Sequence, residues 1–291
     1  MAAGEGIISR RAAWLFTGPA LLLVLVFLAL PALWVIGLGL TDLTLFSVTG
    51  AQFVGLSNFS RIFNDHFFWN AFQISLVFVL GSGVLGQAGL GLLLAIMLHG
   101  HRGKWKSVLI ASAVLAWILP EVVVAYAWAA YLDGDAGLLN RLLSTFGIHE
   151  VRWLWDHALL SIVLFNTWRG TAFSLLLFTA AISTIPPSYL ETADTLGAGA
   201  WRKFRDVIMP MIKGTLLTDL ILISLWTFNV FTPYLLTRGG PSFSSEILPV
   251  YIYRTAFMGT FKLGYGSAAA TVMLLINLCL GLVYLFYGRK K

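Results

Sequence analysis

The sequence predicts an all-α, polytopic membrane protein. Hydrophobic residues make up 58% of the 291 positions, charged residues only 11%, and the mean hydropathy is +0.84. Charged residues form about a quarter of a soluble globular sequence, so this chain lacks the polar surface that a water-exposed domain needs. Predominantly apolar runs of at least the length that a helix needs to cross a bilayer, about 20 residues, alternate with short charged segments. The whole chain, 1–291, is therefore interpreted as one transmembrane domain.

Six such runs predict six transmembrane helices. The predicted spans cover residues 13–40, 71–98, 107–132, 158–183, 215–236 and 264–287. The first follows Arg10 and Arg11 and is much longer than the apolar core of a signal peptide, so we expect it to be an uncleaved span.

The distribution of basic residues between the spans predicts the orientation of the chain. Twelve of the 19 Lys and Arg residues lie at the two termini and in the loops 102–106 and 202–213, whereas the other three loops hold six. By the positive-inside rule, both termini are cytoplasmic and the number of spans is even. The same distribution argues against nucleic-acid binding, because the net charge of +6 follows the topology and forms no continuous basic groove.

Several kinds of catalytic and metal chemistry find no support in the sequence. The single cysteine, Cys279, permits no internal disulfide and no cysteine-pair metal site. The five histidines lack the spacing of zinc enzymes, and no Gly-x-x-x-x-Gly-Lys-Ser/Thr loop is present to bind nucleotide phosphates. The chain is therefore predicted to be neither an enzyme nor an ATPase, with no metal or cofactor of its own.

The segment 184–214, on the predicted cytoplasmic side, has the pattern of a folded element. Two prolines end the fourth span, and Ser188 with Glu191 has the spacing of a capping box that starts a short helix. Gly197 permits a change of direction, and a second, amphipathic helix follows until Pro210 ends it. The apolar face of that helix comprises Trp201, Phe204, Val207 and Ile208. Amphipathicity alone leaves two uses open: lying on the lipid surface, or docking into a groove of a soluble partner.

The residues of this loop resemble the EAA loop of the membrane subunits of binding-protein-dependent ABC importers. That pattern has Glu-Ala-Ala, a glycine after three further residues, and an apolar-x-Leu-Pro ending after nine more. The chain matches it at Glu191, Ala193, Gly197, Val207 and Pro210. It differs at Thr192, which replaces the first alanine, and at Leu196, which replaces the aspartate that often precedes the glycine in the family. The resemblance implies the type I importer permease fold, in which this loop fits a cleft on the ATP-hydrolysing subunit. The coupling residues that it predicts are Glu191, Ala193, Gly197, Trp201, Phe204 and Pro210.

Other short stretches narrow the resemblance to carbohydrate-type permeases, similar to the membrane subunits of the maltose transporter. They are Phe-Val-Gly-Leu-Ser-Asn-Phe at 53–59, Trp-Arg-Gly-Thr-Ala-Phe at 168–173, and Leu-Thr-Arg-Gly-Gly-Pro at 236–241 with the segment 248–257 that follows. The resemblance covers nearly the whole chain. It implies an importer for a carbohydrate or related polyol that works by alternating access in a prokaryotic cytoplasmic membrane.

The same resemblance implies a set of partners. They are a second, similar permease subunit that is usually a different chain, two ATP-binding subunits that hydrolyse the ATP, an extracytoplasmic sugar-binding protein, and membrane lipid. This chain would then carry half of the translocation path. The identity of the sugar stays open, because selectivity depends on a cavity shared with other chains.

Three charged residues fall inside predicted spans: Glu121, Arg169 and Asp219. Each is costly there, by about 2.5–3.5 kcal/mol on insertion scales, so each should face protein or water. Glu121 and Arg169 both lie about 21 Å from the inner ends of neighbouring antiparallel spans, which predicts that they can pair. The pair is either a structural lock or part of the substrate path. Asp219 lies near the inner end of the fifth span, from which its side chain could reach the interface.

A sugar site needs polar groups for the hydroxyls and aromatic faces for the C–H surface of the ring. Trp226 and Asn229 share a face of the fifth span, three residues apart, and are the preferred contacts. The predicted substrate path therefore contains Trp226, Asn229, Phe231, Glu121 and Arg169. For each aromatic residue, ordinary helix packing is the alternative.

A different class of protein also accounts for the spans. A secondary transporter or channel driven by an ion gradient could use Glu121 and Asp219 as proton or cation sites and would need no ATPase. That class leaves the folded cytoplasmic loop unexplained, and the sequence shows no obvious inverted repeat or broken helix between its halves. The ATP-driven importer is therefore the preferred interpretation.

Overall fold

The computed structural model describes residues 10–47, 50–101, 103–148, 150–259 and 261–289. These residues form α-helices and three π-helical segments, and the only β-structure among them is an isolated bridge between Thr41 and Phe53. The predicted all-α class is confirmed. Three basic residues used to predict the orientation, Arg102, Lys290 and Lys291, lie outside the described residues.

The helices follow one another along the chain with short connections. They are α1 Arg10–Val24, α2 Leu30–Gly39, α3 Ser57–Phe63, α4 His66–Phe78, α5 Leu90–Leu98, α6 Lys104–Ile118, α7 Glu121–Tyr131, α8 Leu138–Ser144, α9 Trp153–Asp156, α10 Ala158–Ser183, α11 Pro187–Thr195, α12 Ala200–Lys203, α13 Met209–Asn229, α14 Pro233–Thr237, α15 Leu248–Phe257 and α16 Leu263–Arg289. The π-helical segments Leu25–Ala29, Val79–Gly89 and Phe204–Ile208 each join two α-helices into one longer helix.

Five continuous helices and one bent pair are long and apolar enough to cross a membrane. The continuous helices are Trp14–Gly39, His66–Leu98, Ala158–Ser183, Ala200–Asn229 and Leu263–Tyr284, and the bent pair is Lys104–Ile118 with Glu121–Tyr131. If the bent pair is one span, the number of spans in the described chain equals the six that the sequence predicts.

The third span is broken, although the sequence analysis found no broken helix. Its two halves, α6 and α7, meet at an angle of 104°. The cause is Pro120, whose ring disfavours the helical conformation of the residue before it. Leu119 is accordingly extended, with ψ of 142°. Glu121 therefore lies at the start of α7 and not in the middle of one straight helix.

The fifth span is also broken, because α13 ends at Asn229 and not at the predicted residue 236. Pro233 has no N–H to donate to the carbonyl oxygen of Asn229, and its ring would clash with that carbonyl in a continuing helix. Val230 is extended, with ψ of 135°, and the short helix α14 starts at Pro233. The expectation of one unbroken fifth span is wrong for this reason.

The chain divides into two compact units. One contains the described residues up to Asp65 together with Ile252–Leu274, and the other contains His66–Tyr251 with the described residues from Leu275 onwards. The assignment of residues 1–291 to a single domain stays a prediction.

In the first unit, Asn58 secures the end of α2. Its buried side-chain amide donates hydrogen bonds to the carbonyl oxygens of Gly39 (3.0 Å) and Thr41 (2.8 Å). A helix leaves its last carbonyl groups without partners inside the helix, and this amide supplies a donor to that end. The asparagine of the stretch 53–59 thus has a structural role.

In the second unit, α10 is the central helix. It packs against α5, α6, α13 and the π-helical segment Val79–Gly89. The approach to α5 is close, because a Cβ added to Gly91 would lie 2.5 Å from the Cβ of Ser174 and 2.8 Å from the backbone nitrogen of Leu175. Glycine at position 91 therefore sets the distance between these two spans.

We expect Gly91→Val to destabilise the protein, because the added side chain meets backbone atoms of α10 that cannot move aside. Overpacking of this kind costs about 1–3 kcal/mol and should lower the apparent unfolding temperature of the purified protein in detergent. Gly37→Val is the matched control, since a Cβ at Gly37 meets no atom within 4 Å. Equal unfolding temperatures for the two variants would contradict the close packing at Gly91.

Candidate functional site

A cavity of about 370 Å³ lies beside α10 and α13, at the break of the third span. It brings together four of the five residues predicted for the substrate path: Glu121, Arg169, Trp226 and Asn229. Phe231, the fifth, does not line the cavity. It follows the end of α13, and its ring stacks on that of Tyr234 with the centroids 5.2 Å apart.

One wall of the cavity is aromatic. The rings of Phe173 and Trp226 meet edge to face with their centroids 4.8 Å apart, and Trp117 lies 5.9 Å from Phe173. Trp226 remains 49% exposed, so part of its ring is accessible and not covered by neighbouring side chains. These rings present the apolar faces on which the C–H surface of a sugar can pack.

The cavity is also lined by three buried polar residues, which the sequence analysis missed: Gln87, Asn166 and Thr227. The Nδ2 of Asn166 donates to the Oγ of Ser82 (2.7 Å), and the Nε2 of Gln87 donates to the Oγ1 of Thr227 (3.4 Å). These bonds orient the amides. The side-chain oxygens of Gln87 and Asn166 accept no hydrogen bond from the described chain, so they can accept one from a ligand hydroxyl.

Weak signals for these residues exist in the sequence. Gln87 is the only amide in the glycine-rich middle of the second span, and Asn166 precedes Arg169 by three residues, so the two share a helix face. Gly170 has a specific function here, because a Cβ at that position would collide with the side-chain oxygen of Gln87.

The predicted partners Glu121 and Arg169 meet in the cavity wall. The Nη1 of Arg169 lies 3.7 Å from the Oε1 of Glu121, and their side chains are 22% and 33% exposed. The buried Nε of Arg169 has no hydrogen-bond partner in the described chain. The contact is therefore a loose ion pair that balances two charges on neighbouring spans in the wall of the cavity. Its position in the wall is compatible with both a locking role and a substrate contact.

Asp219 does not lie at the interface, which was the expectation from its place near the inner end of the fifth span. Its side chain is fully buried, and its Oδ2 accepts a hydrogen bond from the Oγ of Ser174 on α10 (3.0 Å). The expectation is wrong because Asp219 lies on the face of α13 that packs on α10, and position along the helix says nothing about that rotation.

The loop 184–214 is folded as predicted, but it starts differently. Helix α11 begins at Pro187, with Pro186 as its N-cap and no side-chain capping bond, so the capping box of Ser188 and Glu191 is wrong. Pro187 itself starts the helix, since its fixed φ suits the first position and the missing N–H is not needed there. The Glu191 carboxylate is left exposed, and no described residue binds it.

The turn after α11 depends on Gly197, whose φ of +69° lies in the left-handed region. Beyond it, α12 runs through the π-helical segment Phe204–Ile208 into α13 without interruption. Pro210 therefore lies inside the continuous helix Ala200–Asn229 and does not end a separate loop helix, which corrects the sequence-based prediction. The helix accommodates this proline directly after the π-helical segment, where the regular hydrogen-bond pattern of the α-helix is already interrupted.

A hydrophobic cluster holds the loop to the membrane helices. Leu190 of α11 and Phe204 pack against Ile182, Ile185 and Ile208. The predicted coupling residues divide accordingly: Ala193 is buried, Phe204 is half-buried, and Glu191, Gly197, Trp201 and Pro210 are exposed. Trp201, at 68% exposure, presents its ring to the outside of the loop.

Comparison with known proteins shows the family. Residues 87–291 match the family described as the binding-protein-dependent transport system inner membrane component. The chain is 32% identical to the sulfoquinovosyl glycerol transport system permease protein SmoG of Agrobacterium fabrum, over 97% of this chain and 92% of that protein. It is 31% identical to the trehalose/maltose transport system permease protein MalF of Thermococcus litoralis, over 94% and 92%.

The fold is also similar to that of a solved structure. A chain in the crystal structure of a bacterial ABC transporter involved in the import of the acidic polysaccharide alginate matches with a TM-score of 0.79 at 23% sequence identity. The match covers 96% of each chain. At this identity the similarity concerns the fold.

The chain therefore belongs to the family of binding-protein-dependent transport system inner membrane components, the permease subunits of ABC importers. It is a multi-pass membrane protein and a transport component, not an enzyme. The comparisons do not support the alternative of an ion-coupled secondary transporter or channel.

We expect Glu121→Gln and Arg169→Gln to impair transport more when made singly than together. A single change leaves one charge inside the span without its partner, whereas the double change leaves none. A double-mutant cycle on transport rate and on unfolding temperature should give a coupling of about 0.5–3 kcal/mol. Simple additivity of the two single effects would show that the ion pair has no energetic role.

Proposed function

We propose that this chain is the permease subunit of an ATP-driven importer for a carbohydrate or related polyol, and that it forms half of the translocation path. The supporting observation is the cavity, in which aromatic rings face amide and guanidinium groups. The names of two relatives, which specify sulfoquinovosyl glycerol and trehalose or maltose, support a sugar-like substrate as well.

In this proposal, aromatic residues of the cavity bind the ring of the sugar and polar residues bind its hydroxyl groups. Trp226 and Phe173 pack on the C–H face of a sugar ring, while the free side-chain oxygens of Gln87 and Asn166 accept hydrogen bonds from its hydroxyls. Arg169 donates from its unused N–H groups. Because Gln87 and Asn166 are buried and oriented by neighbouring hydroxyls, a substrate without matching hydroxyls leaves them unpaired at a cost of about 1–3 kcal/mol for each group.

Transport in this proposal follows alternating access. Two ATP-binding subunits close on ATP, and they draw together the exposed loops around Gly197 on this chain and on a second, similar permease subunit. Glu191 is positioned for this contact, since its exposed carboxylate is free to pair with a basic group. An extracytoplasmic sugar-binding protein delivers the substrate, and the chain lies in a prokaryotic cytoplasmic membrane with both termini on the cytoplasmic side.

The sugar contact is tested at Trp226. Mass spectrometry of the ligand released from the purified binding protein identifies the sugar, whose ATP-driven uptake is then measured in proteoliposomes. We expect Trp226→Ala to raise the half-saturation concentration about 2- to 10-fold, since an aromatic contact contributes about 0.5–1.5 kcal/mol. Trp34→Ala is the control, because Trp34 is exposed on α2 and far along the chain from the cavity. An unchanged half-saturation concentration for Trp226→Ala would remove this residue from the sugar site.

The coupling role is tested at the exposed face of the loop. We expect Glu191→Ala and Gly197→Val to abolish uptake while the permease still accumulates, because neither side chain takes part in the hydrophobic cluster that holds the loop. Thr195→Ala is the matched control, since its hydroxyl only donates to the carbonyl oxygen of Glu191 (2.9 Å). Co-purification of the ATPase and sugar-stimulated ATP hydrolysis are measured in parallel. Full coupling in both variants would refute the assignment.

A further inference from the structure

A reciprocal pair of asparagines joins the fifth and sixth spans at the rim of the cavity. The Nδ2 of Asn229 donates to the Oδ1 of Asn277 (3.0 Å), and the Nδ2 of Asn277 donates back to the Oδ1 of Asn229 (3.1 Å). Asn229 also donates to the carbonyl oxygen of Leu225 (2.7 Å). Both donor hydrogens of Asn229 are therefore engaged, and its amide is held by the neighbouring helix.

The depth of Asn277 makes this pair unusual. Within the span 264–287 it lies about 20 Å from one end and about 15 Å from the other, close to the middle of the bilayer. At that depth lipid offers no hydrogen-bond partner, so polar side chains face protein or a water-filled space. Yet Asn229 is exposed and Asn277 is only half-buried in this chain. The amide pair is therefore accessible from outside the subunit, at a depth where contact of the amides with lipid would be unfavourable.

The surface of α16 divides into two faces around Asn277. One face carries the exposed apolar side chains of Leu275, Leu278, Leu282 and Phe286, together with Cys279. The other face carries Asn277, Gly281 and Tyr284, four and three residues apart, and the Tyr284 hydroxyl lies 3.3 Å from the Oγ of Ser224 on α13. The first face suits contact with lipid, and the second does not.

We propose that Asn277 belongs to the translocation path, which continues from the cavity past Asn229 onto the polar face of α16. This inference rests on the proposed function. Its support is continuity, since Asn229 lines the cavity and bonds directly to Asn277. A polar contact that serves only to join helices is found buried elsewhere in this chain, between Ser174 and Asp219. In the asparagine pair, by contrast, Asn229 is exposed and Asn277 is half-buried.

The ligand class follows from the chemistry of the pair. A hydroxyl group both donates and accepts, so a polyhydroxylated molecule can replace each of the two hydrogen bonds that Asn229 and Asn277 exchange. Asn229, whose donors are engaged here, becomes available to sugar when the pair separates. Sugar hydroxyls thus bind transiently to the two amides during transport. Asn277 is the specificity residue that the sixth span contributes.

Cysteine accessibility tests the position of Asn277 without any substrate. In the complete transporter in membrane vesicles, Cys279→Ser removes the native thiol, and Asn277→Cys is then exposed to a charged, water-soluble maleimide. We expect labelling at least about tenfold faster than that of Cys279 in the parent protein, because the reactive thiolate forms in water and not in hydrocarbon. Cys279 is a matched control, since on a helix it points about 160° away from Asn277.

Two further variants keep this test decisive. Gly281→Cys probes the same face without removing a hydrogen bond, and a Cβ there meets no atom within 4 Å. Leu282→Cys probes the apolar face. Labelling at positions 277 and 281 but not at 282 supports the proposal. Labelling at 277 and 281 no faster than at 282 overturns it and shows that this face is covered, as by the second permease subunit.

Uptake of the sugar released from the purified binding protein tests the contact itself. We expect Asn277→Leu to raise its half-saturation concentration about 3- to 10-fold, the effect of losing one hydrogen-bonding partner, while Leu278→Ala leaves it unchanged. If Asn277→Leu has the same half-saturation concentration as the unsubstituted protein while Trp226→Ala is impaired, this inference is wrong and the proposed function stands. If both variants have the half-saturation concentration of the unsubstituted protein, the proposed sugar site is wrong as well.

Discussion

The hydrocarbon of a bilayer offers no hydrogen bonds, so each polar group placed there needs a protein partner or a water-filled space. This constraint organises the spans around α10. Asn166 bonds to Ser82, and Ser174 bonds to Asp219, so polar contacts on α10 reach both the second and the fifth spans. Glu121 and Arg169 balance each other's charge in the same region. Among the described residues, unused hydrogen-bonding capacity remains in the cavity wall at the Nε of Arg169, and outside the cavity at the Oγ1 of Thr179 and the Oδ1 of Asp219.

Two prolines give the cavity its shape. Pro120 ends α6 and turns α7 through 104°, and Pro233 ends α13 at Asn229. In both cases the residues beside the break, Glu121 and Asn229, become part of the cavity wall. A straight helix satisfies its own backbone and presents only side chains, whereas a broken helix within a membrane is tolerated where it lines a cavity or is buried in protein. The breaks and the polar lining thus have one explanation.

The loop 184–214 contains residues that pack against the membrane helices and residues that are exposed. Leu190, Phe204 and Ile208 join a hydrophobic cluster with residues of α10 and α13. Glu191 and Trp201 remain exposed, and Leu196, at 78% exposure, presents an apolar tip at the turn. The continuous helix from Ala200 to Asn229 connects this loop directly to the cavity wall. One continuous helix therefore joins the loop to the cavity wall.

The sequence by itself determined the all-α class, the number of spans if the bent pair is one span, and the position of the folded loop. It also predicted the contact of Glu121 with Arg169, although the straight third span assumed for that prediction is broken at Pro120. These features depend on composition, on apolar run length and on the constant rise of a helix, all of which are local. It also placed Trp226 and Asn229 on one helix face.

Only the tertiary structure decided which residues surround the cavity and which partners they have. Gln87 meets Thr227 across 140 positions of sequence, and Asn229 meets Asn277 across 48. Phe231 left the site when α13 ended at Asn229, and Asp219 turned towards Ser174 instead of the interface. Such contacts depend on the rotation of each helix about its axis and on where prolines break it. Neither is visible in a pattern of apolar and charged residues, because inside a membrane both faces of a span can be apolar.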